Sequence, residues 1–229
     1  RKGFLTLDTS YTDGHKTTSK LKTGGSRNHI FGNLDLNFNE DDSYASNLSI
    51  KVQRTSNDTF FRTHDINTAL VNSENTDLEN EIKYSFSKDD MYFNIVTNVY
   101  EDLREKKNSD KYEYILPNVI YGKTFFTEKF GTVDFKSDAL FTNYETNKYK
   151  TFLTNDVIWN PTSFVKNSVV NKFEAMIRNT NYETKKTKEY KDGDTVNEIN
   201  GVVAYKASLP MKKDGLNYWN LFSPKLMVR

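Results

Sequence analysis

The chain has no cysteine among its 229 residues, which excludes disulfide bonds, thiol nucleophiles and cysteine-based zinc sites. Charge of one sign is lacking too, since 32 Lys and Arg balance 31 Asp and Glu to a formal net charge of +1. The sequence as a whole therefore has no electrostatic reason to bind nucleic acid or an anionic surface. Mean hydropathy is −0.76. No segment approaches the roughly 20 apolar residues of a membrane-spanning helix.

A transmembrane β-strand remains possible, because it needs only about 9–11 residues with every second one apolar. The chain is rich in the residues that such strands and their turns use. It contains 26 Asn, 24 Thr, 16 Ser, 16 Phe and 14 Tyr. This mixture is poor in helix formers and favours strands and turns. We therefore expect an all-β fold.

Apolar and polar residues alternate with a period of two along most of the chain, as in strands with one apolar face. The alternation predicts an antiparallel meander of eleven strands, and turns of three or four residues between some of them are too short for a parallel crossover. The predicted strands are 4–12, 30–39, 44–54, 78–87, 91–103, 112–123, 131–144, 149–159, 169–180, 202–209 and 218–228. No segment shows a helical period with caps, and no linker divides the chain.

The best-patterned strands divide their side chains between two faces. The apolar candidates, which a membrane barrel would turn toward lipid, are Leu34, Leu36, Leu48, Ile50, Phe93 and Ile95. The polar candidates, which a barrel would turn toward its lumen, are Asn33, Asp35, Asn37, Asn47, Lys51, Asn94 and Asn98. A soluble sandwich would bury the first set and expose the second. The alternation therefore predicts the partition and leaves its direction open.

The predicted connections differ between the two ends of the sheet. One end carries the longer ones, which are 13–29, 55–77, 104–111, 145–148 and 181–201, although 145–148 is short. The other end carries 40–43, 88–90, 124–130, 160–168 and 210–217. Short periplasmic turns and longer extracellular loops are typical of outer-membrane barrels.

The sequence offers no pattern of catalytic or metal-binding residues. His15, His29 and His64 lie in or beside the longer connections without a shared helix face, so we expect exposed loop histidines. Gly24-Gly25-Ser26 lacks the lysine of a phosphate-binding loop, and no nucleophile elbow or zinc-protease motif is present. We expect no enzyme activity, no cofactor and no metal.

Aromatic residues cluster near the predicted strand ends, among them Tyr92, Tyr100, Phe125 and Trp159. They fit either an interfacial girdle at the lipid headgroups or ordinary packing in a soluble sheet.

One order of segments is distinctive. Residues 26–31 lead into a strand, a turn at 40–43 and a second strand that runs into 52–66. After that strand come Ser56, Asp58, Phe60, Phe61 and Asp65, with Asn57 intervening. This order resembles the barrel of the LptD family of lipopolysaccharide-assembly proteins, also called organic solvent tolerance proteins. Members typically carry a Ser-Asp here, then a small residue, one or two Tyr or Phe, and an Asp. The segments 116–119 and 221–226 resemble two later family elements.

The resemblance implies an outer-membrane β-barrel that receives lipopolysaccharide from periplasmic bridge proteins and releases it into the outer leaflet, together with an outer-membrane lipoprotein plug. It implies a place in the bacterial outer membrane and contact with its lipid. The chain opens at Arg1 without an initiator Met or signal peptide and stops at Arg229 inside a predicted strand. We therefore expect residues 1–229 to be a single internal barrel segment of about eleven strands. The family's periplasmic jelly-roll domain, cysteines and gate strands would lie outside it.

Two other functions fit the same alternation. One is a general porin or another outer-membrane channel, which would lack the lipoprotein plug. The other is a soluble antiparallel β protein, such as a surface or carbohydrate-binding module, which would need no detergent.

Overall fold

A computed structural model describes residues 2–16, 23–38, 43–60, 64–72, 74–104, 111–144, 148–187, 193, 195–214 and 219–229. Within these ranges the secondary-structure elements are fourteen β-strands. They are β1 (Lys2–Lys16), β2 (Thr23–Asn37), β3 (Tyr44–Thr55), β4 (Asp77–Lys88), β5 (Met91–Asp102), β6 (Tyr112–Thr127), β7 (Gly131–Tyr144), β8 (Lys148–Asn160), β9 (Phe164–Lys166), β10 (Val169–Lys185), β11 (Val196–Ser208), β12 (Met211–Asp214), β13 (Trp219–Phe222) and β14 (Lys225–Val228). No helix in this part of the chain is long and apolar enough to cross a membrane.

Twelve of the strands form one sheet in the order β1-β2-β3-β4-β5-β6-β7-β8-β10-β11-β14, with β9 also paired to β10. All of its pairs are antiparallel, and each strand up to β8 lies beside its neighbours in sequence. The predicted all-β antiparallel meander is confirmed. β1 and β14 are the two edges of the sheet, so the described strands form an open wall.

The first hairpin is longer than the alternation predicts. β1 continues to Lys16 and β2 begins at Thr23, so most of the predicted connection 13–29 is strand. Backbone pairing needs no apolar side chain, and in this extension Asp13 lies opposite Ser26. A search for alternating apolar residues therefore does not detect the parts of a strand that are polar on both faces. β10 and β11 extend in the same way into the predicted connection between them, and the contrast between the two ends of the sheet is smaller than expected.

The predicted strand 218–228 is wrong, because Ser223 and Pro224 divide it. β13 folds back on β12 as a separate hairpin, whereas β14 pairs with β11. Proline has no amide hydrogen to donate to a strand ladder, which favours a break at this position. The Leu209 amide donates to the Pro224 carbonyl at 3.1 Å.

Apolar burial is confined mainly to one corner of the sheet. Phe31, Val71 and Leu78 form a buried cluster where the segment 56–76 between β3 and β4 folds over the strands. The buried hydrophobic residues in the described part of the chain are Phe31, Phe60, Val71, Leu78 and Ala204. A soluble domain of this length would bury a much larger apolar core.

Candidate functional site: the polar face of the sheet

Cross-strand pairing brings together the members of each set that the sequence assigns to one face. The pairs between apolar candidates are Leu34–Ile50 and Leu36–Leu48, and those between polar candidates are Asn33–Lys51 and Asn37–Asn47. The remaining candidates pair with residues of the same face, namely Asp35 with Ser49, Phe93 with Phe86, Ile95 with Tyr84, Asn94 with Ser85, and Asn98 with Glu81. Of all these candidates, Asn98 is buried, Asn37 is exposed and the others are half-buried.

In a soluble protein the apolar face of a sheet is buried and the polar face is exposed. Here many apolar side chains are exposed and many polar ones are buried. Large exposed hydrophobic side chains run along the apolar face from β1 to β11, and they include Leu5, Leu7, Ile30, Val52, Ile82, Leu153, Val157, Phe173, Ile177, Ile199 and Val203. Of the eight buried polar residues in the described part of the chain, Ser46 and Asn171 lie on the apolar face and the other six lie on the polar face, namely His29, Gln53, Asn98, Thr142, Asp156 and Thr184. Ile199 is 74% exposed, whereas Asn98 is 4% exposed. A contiguous exposed apolar surface of this kind marks contact with a membrane or a partner.

A network of hydrogen bonds crosses β3, β4 and β5 on the polar face. Glu79 forms an ion pair with Lys51. The Tyr100 hydroxyl donates to Glu79 Oε1 at 3.1 Å. The side-chain amide of Asn98 donates to Glu79 Oε1 at 3.3 Å and to Glu81 Oε2 at 3.2 Å. Each polar group of this cluster therefore has a partner, as burial requires.

Two side chains, those of Gln53 and Asn80, continue the contact between β3 and β4 where the backbone ladder stops at Lys51 and Glu81. The backbone amide of Gln53 donates to Asn80 Oδ1 at 2.9 Å, and the backbone amide of Glu79 donates to Gln53 Oε1 at 2.8 Å. The seam opens here beneath the segment 56–76 into a cavity of about 720 Å³. Its lining includes Lys51, Gln53, Leu70, Glu79, Tyr100 and Glu113.

A second polar cluster crosses β8, β10 and β11. Arg178 donates two hydrogen bonds to the buried Asp156, at 2.7 and 2.8 Å, in a bidentate ion pair. Glu174 accepts from Lys206 at 2.6 Å and lies 3.1 Å from Lys172. The predicted polar set omits all of these residues, although the same alternation assigns them to this face once the register is known.

Two aromatic residues do not fit the interfacial girdle. Tyr100 lies in the polar network, and Tyr92 lies on the polar face, where its ring covers Gly122 on β6. A girdle on the apolar face would therefore exclude Tyr92 and Tyr100. Phe125 and Trp159 are exposed on the apolar face, at 48% and 40%, in positions that a girdle would use.

His29 contradicts the expectation of an exposed loop histidine, because it is a buried residue of β2. Its ring stacks on Phe31 with centroids 4.4 Å apart and meets Phe60 edge-on at 5.5 Å. Nδ1 lies 2.7 Å from Ser10 Oγ, and Nε2 lies 3.2 Å from Asp8 Oδ1. His29 precedes Phe31 by two residues, so the alternation itself was the signal for its place on the polar face.

The other two histidines are His64 and His15. His64 is exposed, with its ring 4.7 Å from that of Phe60. The side chain of His15 lies outside the described residues. The described part of the chain contains no group of three or more side chains that could hold a metal ion.

Comparison with protein-family models matches residues 26–229 to the family described as LptD, LPS transport system D. The chain belongs to the LptD family. LptD proteins are β-barrel proteins of the bacterial outer membrane that act in lipopolysaccharide transport, so the porin and the soluble surface module are set aside. Comparison with curated proteins gives no significant match.

The residues that resemble the LptD pattern attach the segment 56–76 to β2 and β5. The Asn28 amide donates to Ser56 Oγ at 3.1 Å. Lys111 lies 2.7 Å from Asp58 and 2.8 Å from Glu101, so it joins this segment to β5. Burial lowers the pKa of Lys111, but the two carboxylates raise it further, and the net shift is upward.

Most of the remaining parts of the LptD pattern lie within the described residues. Phe60 is buried against His29, Asp65 accepts a hydrogen bond from Asn67 at 3.3 Å, and Phe61 lies outside the described residues. Leu116 and Pro117 lie where the pairing of β6 with both neighbouring strands shifts register. A proline within a sheet favours such a bulge, since it cannot donate to the ladder.

Proposed function

We propose that residues 1–229 form part of the wall of an outer-membrane barrel that moves lipopolysaccharide to the outer leaflet. The polar face would line the lumen, with Asn33, Asp35, Asn37, Asn47, Lys51, Asn94 and Asn98 directed inward. The apolar face would contact lipid through Leu34, Leu36, Leu48, Ile50, Phe93 and Ile95. The observation that carries this proposal is the reversed burial, with exposed apolar residues on one face and buried polar residues on the other.

The burial pattern predicts a sheet that curves toward its polar face. Side chains on the concave side of a curved sheet converge and bury one another, whereas those on the convex side spread apart. The buried residues Gln53, Asn98 and Asp156 lie on the polar face, whereas Ile199 and Val203, at 74% and 67% exposure, lie on the other. The interior of a membrane barrel is polar and its exterior band is apolar.

The strand lengths support a membrane location. β5 has 12 residues and β10 has 17. Both exceed the roughly 9–11 residues that cross a bilayer as a tilted strand. From β3 to β10 the main strands pair on both sides along most of their length, so most of their backbone groups are satisfied without water, whereas β11 pairs with β14 only over residues 205–208.

The chemistry of transport matches the polar face. Moving a preformed lipid requires no bond to be made or broken, so neither a nucleophile nor a cofactor is needed. It requires a lumen whose side chains exchange hydrogen bonds with sugars and phosphates, which Asn, Tyr and Lys side chains do. As partners we propose lipopolysaccharide, a lipoprotein plug in the lumen and periplasmic bridge proteins that deliver the lipid.

The test places a photoreactive amino acid at one of two adjacent positions of β5 in the full-length protein, in cells. At Asn94 the probe should crosslink to the lipoprotein plug or to lipopolysaccharide in transit. At Ile95 it should crosslink to membrane lipid and not to the plug. A plug crosslink from Ile95 with none from Asn94 would reverse the assigned faces. Depletion of the full-length protein should leave lipopolysaccharide short of the cell surface, and normal delivery would exclude the transport role.

A further inference from the structure

Large aromatic side chains lie at one end of the apolar face, beside the turn 128–130 between β6 and β7. Val133 on β7 lies opposite Phe125 on β6 and Trp159 on β8, so the two aromatic residues flank it in one row across the sheet. Phe130 belongs to the turn, and all three aromatic side chains are exposed. Exposed rings in such positions are typical of a membrane–water boundary, where apolar chains meet polar headgroups.

The turn that carries Phe130 is held against the end of β8. The indole Nε1 of Trp159 donates to the Phe130 carbonyl at 2.8 Å, and Thr127 Oγ1 donates to the Gly131 carbonyl at 2.9 Å. Gly131 has a φ of +77°, and a side chain there would clash with the backbone of Asn160. The aromatic surface is therefore fixed before any ligand arrives, which reduces the entropy lost on binding.

Two lysine ammonium groups lie over these rings. Nζ of Lys123 is 5.4 Å from the centroid of the Phe125 ring, and Nζ of Lys129 is 5.7 Å from that of Phe130. Lys123 is two residues farther from the turn than Phe125 on the same face of β6, so its ammonium group reaches back toward the turn. A lysine that lays its carbon stem along apolar surface and its charge at the edge is suited to headgroup level.

A third lysine lies in the same row of the apolar face. Met91 on β5 lies opposite Lys88 on β4 and Lys123 on β6. The ion pairs among the described residues include none of Lys88, Lys123 and Lys129. Each ammonium group therefore has N–H donors to offer an oxygen-rich anion such as phosphate.

Carboxylates lie beyond the strand lysines, in the turns themselves. Asp89 and Asp90 form the turn between β4 and β5, and Glu128 begins the turn between β6 and β7. The backbone amide of Thr124 donates to the Asp90 carbonyl at 2.7 Å, so the two turns lie side by side. From the apolar band outward, positive charge on the strands is followed by negative charge in the turns.

We propose that this end of the apolar face is a headgroup site for a zwitterionic glycerophospholipid. Its phosphate would accept hydrogen bonds from the lysines of the site, namely Lys88, Lys123 and Lys129. Its ammonium group, which lies farther from the acyl chains, would face Asp89 and Glu128. A purely anionic headgroup would match the lysines but would meet those carboxylates unpaired. The inference rests on the proposed function, because it takes the apolar face to contact membrane lipid.

The place of the site in the sheet identifies the leaflet. The turns 89–90 and 128–130 lie at the opposite end of the sheet from the segment 56–76. Short turns lie on the periplasmic side in outer-membrane barrels. Lipopolysaccharide would be released into the outer leaflet, so the lipid at the short turns would be a glycerophospholipid of the periplasmic leaflet. Its acyl chains would lie along Phe135 and Val157, which pair in the next row of the apolar face.

The test uses the purified full-length protein in vesicles of phosphatidylethanolamine, phosphatidylglycerol and lipopolysaccharide. A photoreactive residue replaces Val133 in the site or Ile95 elsewhere on the apolar face, and mass spectrometry identifies the crosslinked lipid. At Val133 phosphatidylethanolamine should exceed its share at Ile95 roughly threefold, as weak exposed ion pairs allow. Equal lipid composition at the two positions would overturn the site. Enrichment of lipopolysaccharide at Val133 would overturn the assignment to the periplasmic leaflet.

Substitutions of the lysines test the phosphate contacts. The double variant Lys123→Gln with Lys129→Gln should abolish the enrichment at Val133, and Lys123→Arg with Lys129→Arg should keep most of it. Lys136→Gln is the matched control, because Lys136 is an exposed lysine of the same hairpin on the polar face. An enrichment that survived the double glutamine variant, or that was lost equally in Lys136→Gln, would contradict the proposal.

Substitutions of the carboxylates test the choice of headgroup. Asp89→Asn with Glu128→Gln should shift the lipid found at Val133 from phosphatidylethanolamine toward phosphatidylglycerol, since only the ammonium group loses its partners. Enrichment of phosphatidylglycerol in the wild-type protein would exclude the zwitterionic headgroup.

The outcome for this site is separable from the outcome for the proposed function. Lipid crosslinks at Ile95 without enrichment at Val133 would leave the membrane location and the transport role standing while removing the site. An absence of lipid crosslinks at both positions would contradict the lipid-facing assignment of the apolar face, and with it the site.

Discussion

The two faces of this sheet are built by different rules. On the apolar face, Ile95 meets Tyr84 and Val119 across the strands, and such contacts require only apolar surface. On the polar face, Glu79 is held by Lys51 and Tyr100 in a specific geometry. Lipid solvates any apolar side chain equally well, whereas buried polar groups require particular partners. The polar face should therefore be sensitive to substitutions that preserve size, and the apolar face to those that introduce charge.

The largest effect is expected where the polar face is covered by its own chain. Phe31 is fully buried, at 0% exposure, whereas its neighbour Ile30 is 47% exposed on the apolar face. Phe31→Ala should lower the free energy of unfolding by about 3–5 kcal/mol, and Ile30→Ala by much less. Urea unfolding of the full-length protein in lipid vesicles measures both. Equal costs would mean that the segment 56–76 does not pack on Phe31.

The second prediction compares adjacent residues on opposite faces of β2. Leu36→Arg should cost about 2–4 kcal/mol if the site lies near the bilayer midplane, whereas Asn37→Arg should cost much less if its face lines the lumen. Folding efficiency into lipid vesicles reports the difference. Equal tolerance would count against a membrane location. A damaging Asn37→Arg with a harmless Leu36→Arg would show that the faces are reversed.

The third prediction changes charge with almost no change in shape. Asp156→Asn leaves the guanidinium of Arg178 without its counter-charge and should destabilise the protein by about 1–2 kcal/mol. The expected loss of stability is small for an unpaired charge because the Arg178 side chain is 49% exposed, and solvent screens its charge. Asp138→Asn, on the same face of β7, is the matched control. A loss as large from Asp138→Asn would mean that the bidentate geometry adds nothing.

The smallest effect is expected at Lys111, whose ion pairs with Asp58 and Glu101 tether the segment 56–76 to β5. Lys111→Gln should cost about 1 kcal/mol, because the side chain makes two ion pairs at the edge of the structure. Since the pKa of Lys111 is raised on folding, its contribution is complete below the ordinary value of 10.5 and is lost as the pH rises through the higher folded value.

Limited proteolysis of the segment 56–76 tests this tether across pH. Cleavage in the wild-type protein should stay constant from neutral pH to about pH 10 and increase above it. The Lys111→Gln variant should be cleaved faster at neutral pH and should lack the alkaline increase. An increase in cleavage between pH 7 and 9 would exclude Lys111 as the main cation that holds the segment.

Part of this architecture follows from local pattern alone. An alternation of period two assigns each side chain to a face without knowledge of the partner strand, and a two-residue turn such as Asp89-Asp90 makes its strands antiparallel. The all-β class, the meander and the grouping of Leu34 with Leu36 were therefore predictable from the residues. His29 was predictable by the same rule, but its residue type pointed to an exposed loop.

Other features depend on which strands become neighbours, which no local pattern records. The ends of the first hairpin are set by backbone pairing between polar residues, and Pro224 sends two halves of an apolar run to different partners. Charge pairing is non-local too, since Asp156 and Arg178 are 22 residues apart and meet only through the β8–β10 register. The amino-acid sequence by itself determined the class, the order and the two faces. Register, burial and the pairing of Asp156 with Arg178 were decided by tertiary structure, because they arise from contacts between strands.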